Sequence, residues 1–226
     1  SDVCSSDLVP RDEKSSWMSG GKRMLVDRVE WHILPDPATA AAALQSGEID
    51  WWETPVADLV PLLKKNNALS VDIADPLGNI GSLRINHLHP PFNDPRARRA
   101  LQLAVDQADY MQAVVGEDAA LWKRVPGYFT PDTPLYTEAG GEPLKGARRY
   151  DEAKKLLAEA GYKGEPIVIL TTQEIPLIDG LAQVTADKLR AIGVNVDLQN
   201  SDWGTLVRSE EHTSELQSHS FISYAV

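Results

Sequence analysis

A strand–helix–strand pattern near the carboxyl end most constrains what this chain can fold into. The run EPIVILTT (165–172) is short, apolar and β-branched, which predicts a strand. The segment PLIDGLAQVTADKLRAIG (176–193) starts with proline and ends at glycine, as helices often do. VNVDLQ (194–199) predicts the next strand. Because a helix separates the two strands, we expect parallel pairing and an α/β protein.

A second pattern of the same kind lies nearer the amino end. RVEWHIL (28–34) alternates between apolar and polar residues and predicts a strand. Asp36 then provides an N-cap, Pro37 the first helical position, and Gly47 the end of a helix built on ATAAAALQS. EIDWWE (48–53) predicts a further strand. Together these segments predict a compact βαβ unit with parallel strands.

Three shorter segments follow this unit. ADLVPLLKKN (57–66) predicts a helix that places Leu59, Leu62 and Leu63 on one face. LSVDIAD (69–75) and GSLRIN (81–86) each predict a strand.

The longest predicted helix begins at Pro95, is capped by Asp94 and ends at Gly116. Its apolar residues recur at helical spacing. They are Ala97, Leu101, Ala104, Val105, Ala108, Met111 and Val115. The proline- and glycine-rich stretch 125–146 predicts a loop, and DEAKKLLAEAGY predicts an amphipathic helix ending at Gly161.

Charge and cysteine usage exclude several classes of function. The net charge of -11 argues against nucleic acid and anionic membrane surfaces as partners. No apolar run is long enough to span a bilayer, and no signal peptide is recognisable at the amino end. Cys4 is the single cysteine, so neither an internal disulfide nor a cysteine-based metal site can form.

The two ends of the chain are related at the level of DNA. RSEEHTSE, which begins at Arg208, can be encoded so that the reverse complement, read one base in, encodes SDVCSSDL, the first eight residues. Both ends therefore resemble translated sequencing adapter. We expect residues 1–8 and 208–226 not to be native, and Phe221 and Tyr224 not to pack in a core.

Catalytic motifs are weak in this sequence. His87 and His89 have a spacing compatible with metal ligands on a strand, but no carboxylate pattern accompanies them, and a surface loop beside Pro90 and Pro91 is the preferred interpretation. No phosphate-binding glycine loop and no nucleophile elbow are present. We therefore expect no enzyme, no catalytic residue, no metal and no cofactor. The alternative is a metal-dependent hydrolase that uses His87 and His89, which a metal titration would detect.

The stretch GEIDWWET carries the clearest ligand-binding signal. Adjacent tryptophans on a strand point to opposite faces, so we expect Trp51 to be buried against the ATAAAAL helix. Trp52, Glu53 and Thr54 would then stand at the carboxyl end of a parallel strand, where open α/β sheets bind ligands. An aromatic wall, an anion and a hydroxyl suit a cationic or amphipathic small molecule.

Four segments in register resemble one protein family. They are AALQSGEIDWWETP, LRINHLHPPFNDPRARRALQLAVDQADYM, YDEAKKLLAEAGY and KLRAIGVNVDLQNSDWGTLV, and the arrangement from Asn86 to Ala100 is the most distinctive. Together they are similar to the extracytoplasmic solute-binding proteins of family 5, which serve peptide, dipeptide and nickel ABC importers. The resemblance covers nearly all of Val26 to Val207.

The resemblance implies a fragment of a two-lobed, type II-like periplasmic-binding-protein fold with parts of both lobes present. Residues 9–85 would belong to the first lobe and residues 86–207 to the second. The lobes of such proteins close around the ligand by hinge bending. Other specificity determinants of the family would lie beyond this chain.

The same resemblance implies a ligand site. The segment after Gly-Glu-Ile-Asp lines the cleft in this family, which corresponds to Trp52, Glu53 and Thr54. The segment before the distinctive motif also approaches the ligand, which corresponds to Asn79 and Gly81.

The implied function is the substrate-binding component of an ABC importer, which captures a peptide or similar small solute. Its partners would be that ligand and a membrane permease, with no nucleic acid. The protein would be a monomer, periplasmic or extracellular and associated with the membrane. A further alternative is that the truncated chain by itself has no function, because it is an incomplete fold that exposes apolar lobe faces prone to association.

Overall fold

The computed structural model describes residues 12–14, 21, 25–78 and 80–212. The chain falls into two compact units, residues 1–53 and residues 54–226. Phe221 and Tyr224 lie outside the described residues. Within the described part, no helix is both long and apolar enough to cross a membrane.

The first unit contains helix α1, Pro37–Ser46. The predicted caps are confirmed: the Asp36 carboxylate accepts a hydrogen bond from the Thr39 amide at 2.7 Å, and Pro37 occupies the first turn. Gly47 adopts a left-handed φ of 75°, a conformation that favours glycine, and ends the helix. The Glu48 amide then donates to the Ala43 carbonyl at 2.9 Å, which satisfies one of the last helical carbonyls.

The prediction of strands at 28–34 and 48–53 is wrong for the described chain, and with it the amino-terminal βαβ unit. Neither segment is part of a sheet in the described residues. Residues 28–34 keep the alternation of an extended chain, since Arg28 pairs with Glu30 and His32 Nε2 lies 3.6 Å from Glu30 Oε2 on the same side. A strand needs a hydrogen-bonded neighbour, and the described residues supply none here.

The second unit begins with a 3₁₀ turn at Ala57–Leu59 and a short helix α2, Val60–Leu63. Leu63 is 2% exposed, whereas Leu62 is 48% exposed, so the predicted apolar face is only partly covered. Pro61 lies in the first turn of α2, the only part of a helix where its missing amide is tolerated. The strands expected at 69–75 and 81–86 do not form in the described chain.

The longest predicted helix is in fact two helices, α3 at Pro95–Ala104 and α4 at Gln107–Val115. The outer limits are confirmed: Asp94 caps α3 through the Arg96 amide, and Gly116 follows α4 at φ 91°. Val105 and Asp106 are extended between them, and the Asp106 carboxylate accepts from the Ala108 amide at 3.0 Å. Asp106 is thus an N-cap inside the apolar periodicity, and aspartate prefers this position to a helix interior.

The carboxyl-terminal strand–helix–strand unit forms as predicted. Strand β1 is Ile167–Thr171, helix α6 is Pro176–Ala191 and strand β2 is Val196–Asn200, after helix α5 at Tyr150–Glu159. The two strands are parallel, with Ile167 opposite Val196 and Thr171 opposite Asn200. Helix α7, Trp203–His212, follows β2 and continues past Val207.

The core of the second unit is one cluster in which α6 packs on the strand pair and α3 packs on α5 and α6. Phe92, Ala97, Ile169 and Ala182 are among its buried residues, each at most 2% exposed. Small alanines of α3 and α6 and the larger Ile169 and Phe92 belong to the same buried cluster. The packing fixes the carboxyl ends of β1 and β2 side by side.

Candidate functional site

The residues predicted to bind ligand are spread over both units. Trp52 is partly exposed and Glu53 exposed in the first unit, while Thr54 and Gly81 are exposed in the second. Asn79 lies outside the described residues. The Gly81 α-carbon passes close to α6, since an added Cβ would lie 3.3 Å from Leu181 Cδ1. The assignment of these five residues to a ligand site stays a prediction.

Trp51 is not buried as expected. Its side chain is 73% exposed, whereas that of the adjacent Trp52 is partly covered. The expectation depended on a strand at 48–53 that presents one tryptophan to helix α1. Because that strand does not form in the described chain, the alternation does not direct Trp51 inward.

His87 and His89 lie in a turn, as the preferred interpretation of a loop beside Pro90 and Pro91 predicts, and not on a strand. The Asn86 carboxamide accepts the Leu88 amide at 2.9 Å, and the His89 carbonyl accepts the Asn93 amide at 3.0 Å. Among the described residues, no three His, Cys, Asp or Glu side chains are grouped so as to hold a metal ion.

An open depression of about 480 Å³ lies where β1 and β2 end. Gln173 and Glu174 follow β1, Asn200 ends β2, and Ser201 and Asp202 lie between β2 and α7. Parallel strands bring their carboxyl ends to one edge, which is where open α/β sheets place ligands. The sequence suggested a ligand site at the carboxyl end of a strand at 48–53. In the structure, the carboxyl ends of parallel strands meet at this edge instead.

Hydrogen bonds between the two loops fix the walls of this depression. The Asn200 carboxamide oxygen accepts the Gln173 amide at 3.0 Å. Glu174 Oε2 accepts the Trp203 amide at 3.1 Å, so Glu174 satisfies the first free amide of α7. The Ser201 amide donates to the Thr171 carbonyl at 3.0 Å. The walls are thus set by local contacts of the second unit.

The electrostatics of this edge are acidic. Hydrogen bonds from Thr205 to its carboxylate hold the pKa of Asp202 below its usual value, which keeps this group ionised. Glu174 adds a second carboxylate to the lining. The amide groups of Gln173 and Asn200 add neutral donors and acceptors. Such a surface can accept hydrogen bonds from a polar ligand and attract positive charge.

Sequence reasoning missed this group of residues. The signal was present, because Gln173 and Asn200 each stand directly beyond or at the end of a correctly predicted strand. The sequence directed attention to the tryptophan pair at 51–52 instead, since aromatic residues are the more conspicuous ligand-binding type.

Comparisons with known proteins agree on one family. Residues 9–222 match the model of bacterial extracellular solute-binding proteins, family 5 Middle. The matched range starts directly after residues 1–8 and runs past Val207, so the adapter assignment of residues 208–226 stays a prediction.

Two curated relatives and one solved structure illustrate the likeness. A probable peptide ABC transporter periplasmic-binding protein of Sinorhizobium fredii is 41% identical over 88% of this chain and 38% of its own length. The dipeptide-binding protein DppE of Bacillus subtilis is 30% identical over 88% of this chain and 37% of its own length. A dipeptide-binding protein from Pseudoalteromonas, in complex with Met-Leu, matches with a TM-score of 0.67 and 26% identity over 86% of this chain and 37% of that one.

These matches confirm the resemblance seen in the sequence and the α/β fold class. The chain corresponds to part of the two-lobed periplasmic-binding-protein fold, and it spans about 38% of the length of the first of these relatives. Because the family model covers most of the sequence, the chain belongs to the bacterial extracellular solute-binding proteins of family 5.

Proposed function

We propose that this chain is part of the substrate-binding component of an ABC importer, which captures a peptide or similar small solute outside the cytoplasmic membrane. The observation that carries the proposal is the match to family 5 across residues 9–222. The relatives' names, a peptide ABC transporter binding protein and a dipeptide-binding protein, support a peptide ligand. The protein would act as a monomer, deliver its ligand to a membrane permease and catalyse no reaction.

Two surfaces are proposed to contact the ligand: the residues predicted from the sequence, and, separately, the carboxyl edge of β1 and β2 in the second unit. Trp52, Glu53, Thr54, Asn79 and Gly81 would line one part of the cleft. In support of this, Trp52, Glu53, Thr54 and Gly81 retain solvent access in the described chain.

The carboxyl edge of β1 and β2, which lies within the second unit, would itself contact the ligand. Glu174 and Asn200 are held there by backbone hydrogen bonds of 3.1 Å and 3.0 Å, so their positions are set before a ligand arrives. Preorganised polar groups lower the cost of ordering on binding. Closure of two lobes by hinge bending would then exclude water from the ligand.

Calorimetric titration of the longer protein with di- and oligopeptides tests the proposal. We expect binding of peptides and about a tenfold loss of affinity in Trp52→Ala, because an aromatic wall contributes about 1–2 kcal/mol to a cationic ligand. Trp51→Ala is the matched control, since Trp51 is exposed and is not assigned to the site. Unchanged affinity in Trp52→Ala would remove that residue from the site, and absence of any peptide binding would refute the proposed function.

The chain of 226 residues should not bind peptide by itself, because it spans about 38% of the length of its relative. The same titration on this chain alone checks that expectation. A metal titration on it separates the proposal from a hydrolase that uses His87 and His89, since a solute-binding module predicts no stoichiometric metal site.

A further inference from the structure

The segment between α4 and α5, residues 117–149, forms a compact loop that we call the strap. Its two limbs touch at the level of the backbone. A Cβ added to Gly127 would lie 2.4 Å from the Thr137 carbonyl oxygen, and one added to Gly141 would lie 2.4 Å from the Pro126 carbonyl oxygen. Only glycine permits such approaches, so Gly127 and Gly141 allow the two limbs to lie directly against each other, as in Ω-loops.

One limb of the strap is fastened to the start of α4 by side chains. The Gln107 carboxamide donates to the Val125 carbonyl at 2.6 Å and accepts the Val125 amide at 2.7 Å. The side chain thus forms with Val125 the same two N–H···O=C hydrogen bonds that paired residues of antiparallel strands form with each other. Beside it, an Arg124 guanidinium nitrogen lies 2.9 Å from Asp106 Oδ1.

The other limb is fastened to the same place. Arg148 forms an ion pair with Asp109 and lies 3.8 Å from Asp106. Lys188 of α6 also pairs with Asp109. The carboxylates of Asp106 and Asp109 therefore bind three cationic side chains. Arg124 and Arg148 come from the two limbs of the strap, and Lys188 comes from α6.

The closed strap contains one unfavourable group. The indole nitrogen of Trp122 is buried and has no hydrogen-bond acceptor among the described residues. Burying an unpartnered N–H costs free energy, which opening to water would recover. At its far end the strap exposes Tyr128 (82%) and Leu135 (65%) to solvent. These two side chains therefore add nothing to closure, and outside the polar contacts described above the strap is held by the turn at Glu142–Leu144, which packs on α3, and by the Arg149 amide, which donates to the Leu103 carbonyl at 2.9 Å.

We propose that the strap is a conformational device that opens and closes as one unit, with Asp106, Gln107 and Asp109 as its latch. Because the latch consists of partly exposed ion pairs and one bidentate amide, added salt weakens it more than it weakens the apolar core. Because the two limbs lie against each other at Gly127 and Gly141, we expect the whole segment to move together when the latch opens.

Hydrogen exchange followed by mass spectrometry on the full chain tests this proposal. Asp106→Asn is the decisive variant, since asparagine keeps the N-cap of α4 while the charge that pairs with Arg124 is lost and Arg148 retains only Asp109. We expect exchange of amides in the strap to rise about tenfold, while β1 and α6 keep the protection of the parent chain. Raising the salt concentration should also speed amide exchange in the strap of the parent chain. The effect should be smaller in Asp106→Asn, because part of the ion pairing is already lost.

Two further variants complete the test. Gln107→Ala removes the amide pair and should open the strap without changing charge. Asp94→Asn is the matched control, because Asp94 also caps a helix and pairs with an arginine, Arg96, but contacts no part of the strap. Strap exchange that is unchanged in Asp106→Asn and Gln107→Ala overturns the proposal. So does an equal rise across β1 and α6, which would show only a general loss of stability.

Discussion

At the scale of single residues, burial separates side chains that carry the fold from side chains left in solvent. Ile169 is 0% exposed at the centre of the strand pair, whereas Trp51 is 73% exposed. We expect Ile169→Ala to lower the free energy of unfolding by about 2–5 kcal/mol, because it leaves a cavity in the core. Trp51→Ala should change it by less than about 0.5 kcal/mol.

Urea unfolding of both variants measures this difference directly. A large loss in Trp51→Ala would show that the indole packs against protein in solution, and would restore the burial that the sequence predicted.

Tyr110 gives a pH-dependent prediction at the same scale. Burial raises its pKa to about 12, and its hydroxyl lies 3.2 Å from Thr185 Oγ1. An unfolded tyrosine has a pKa of about 10, so the folded state holds the proton more tightly. The resulting stability is fully present below about pH 10 and is lost as the pH rises through 12.

Unfolding midpoints measured from about pH 9 to pH 12 should therefore fall less steeply in Tyr110→Phe than in the parent chain. Equal slopes would mean that Tyr110 ionises as readily when folded as when unfolded.

At the scale of elements, the contact between α4 and α6 depends on a glycine in a helix. A Cβ added at Gly180 would lie 2.8 Å from Val114 Cγ1, closer than real side chains approach. Gly-to-Ala in a helix interior normally stabilises by about 1 kcal/mol. Here the clash with a stiff β-branched side chain should outweigh that gain and destabilise by up to about 2 kcal/mol.

A double-mutant cycle with Val114→Ala tests the cause. In the Val114→Ala background, Gly180→Ala should become stabilising by about 1 kcal/mol, since the obstructing methyl group is gone. Independent, additive effects would contradict the proposed contact.

At the scale of the whole molecule, protection should differ sharply between extended segments with and without a partner. Residues 167–171 form a parallel ladder with residues 196–200, whereas residues 28–34 have no backbone partner in the described chain. We expect amides of 167–171 to exchange slowly and those of 28–34 to exchange nearly as fast as in an unstructured peptide.

Trp31 and Ile33 are 84% and 92% exposed, so the same segment presents apolar surface to solvent. Slow exchange at 28–34 in dilute solution would contradict the structure, and slow exchange that appears only at high concentration would indicate that this apolar segment drives association.

The sequence by itself determined the local features of this protein. Asp36 and Gly47 mark the two ends of α1, and Asp94 and Pro95 mark the start of α3. The carboxyl-terminal strand–helix–strand unit forms where the pattern of apolar residues predicts it. These features are predictable because a helix closes its hydrogen bonds within a few residues, so that capping residues and spacing decide its limits. The family could be predicted as well, since four of its segments stand in register along the chain.

Only the tertiary structure decided which strands form, how the apolar stripe at 95–115 divides, and where the polar depression lies. Residues 28–34 and 48–53 have the pattern of strands but find no partner among the described residues, and pairing is a non-local condition. Asp106 divides the helix because capping there also places its carboxylate against Arg124. Glu174 and Asn200 meet because β1 and β2 are parallel neighbours, a juxtaposition that spacing along the chain does not contain.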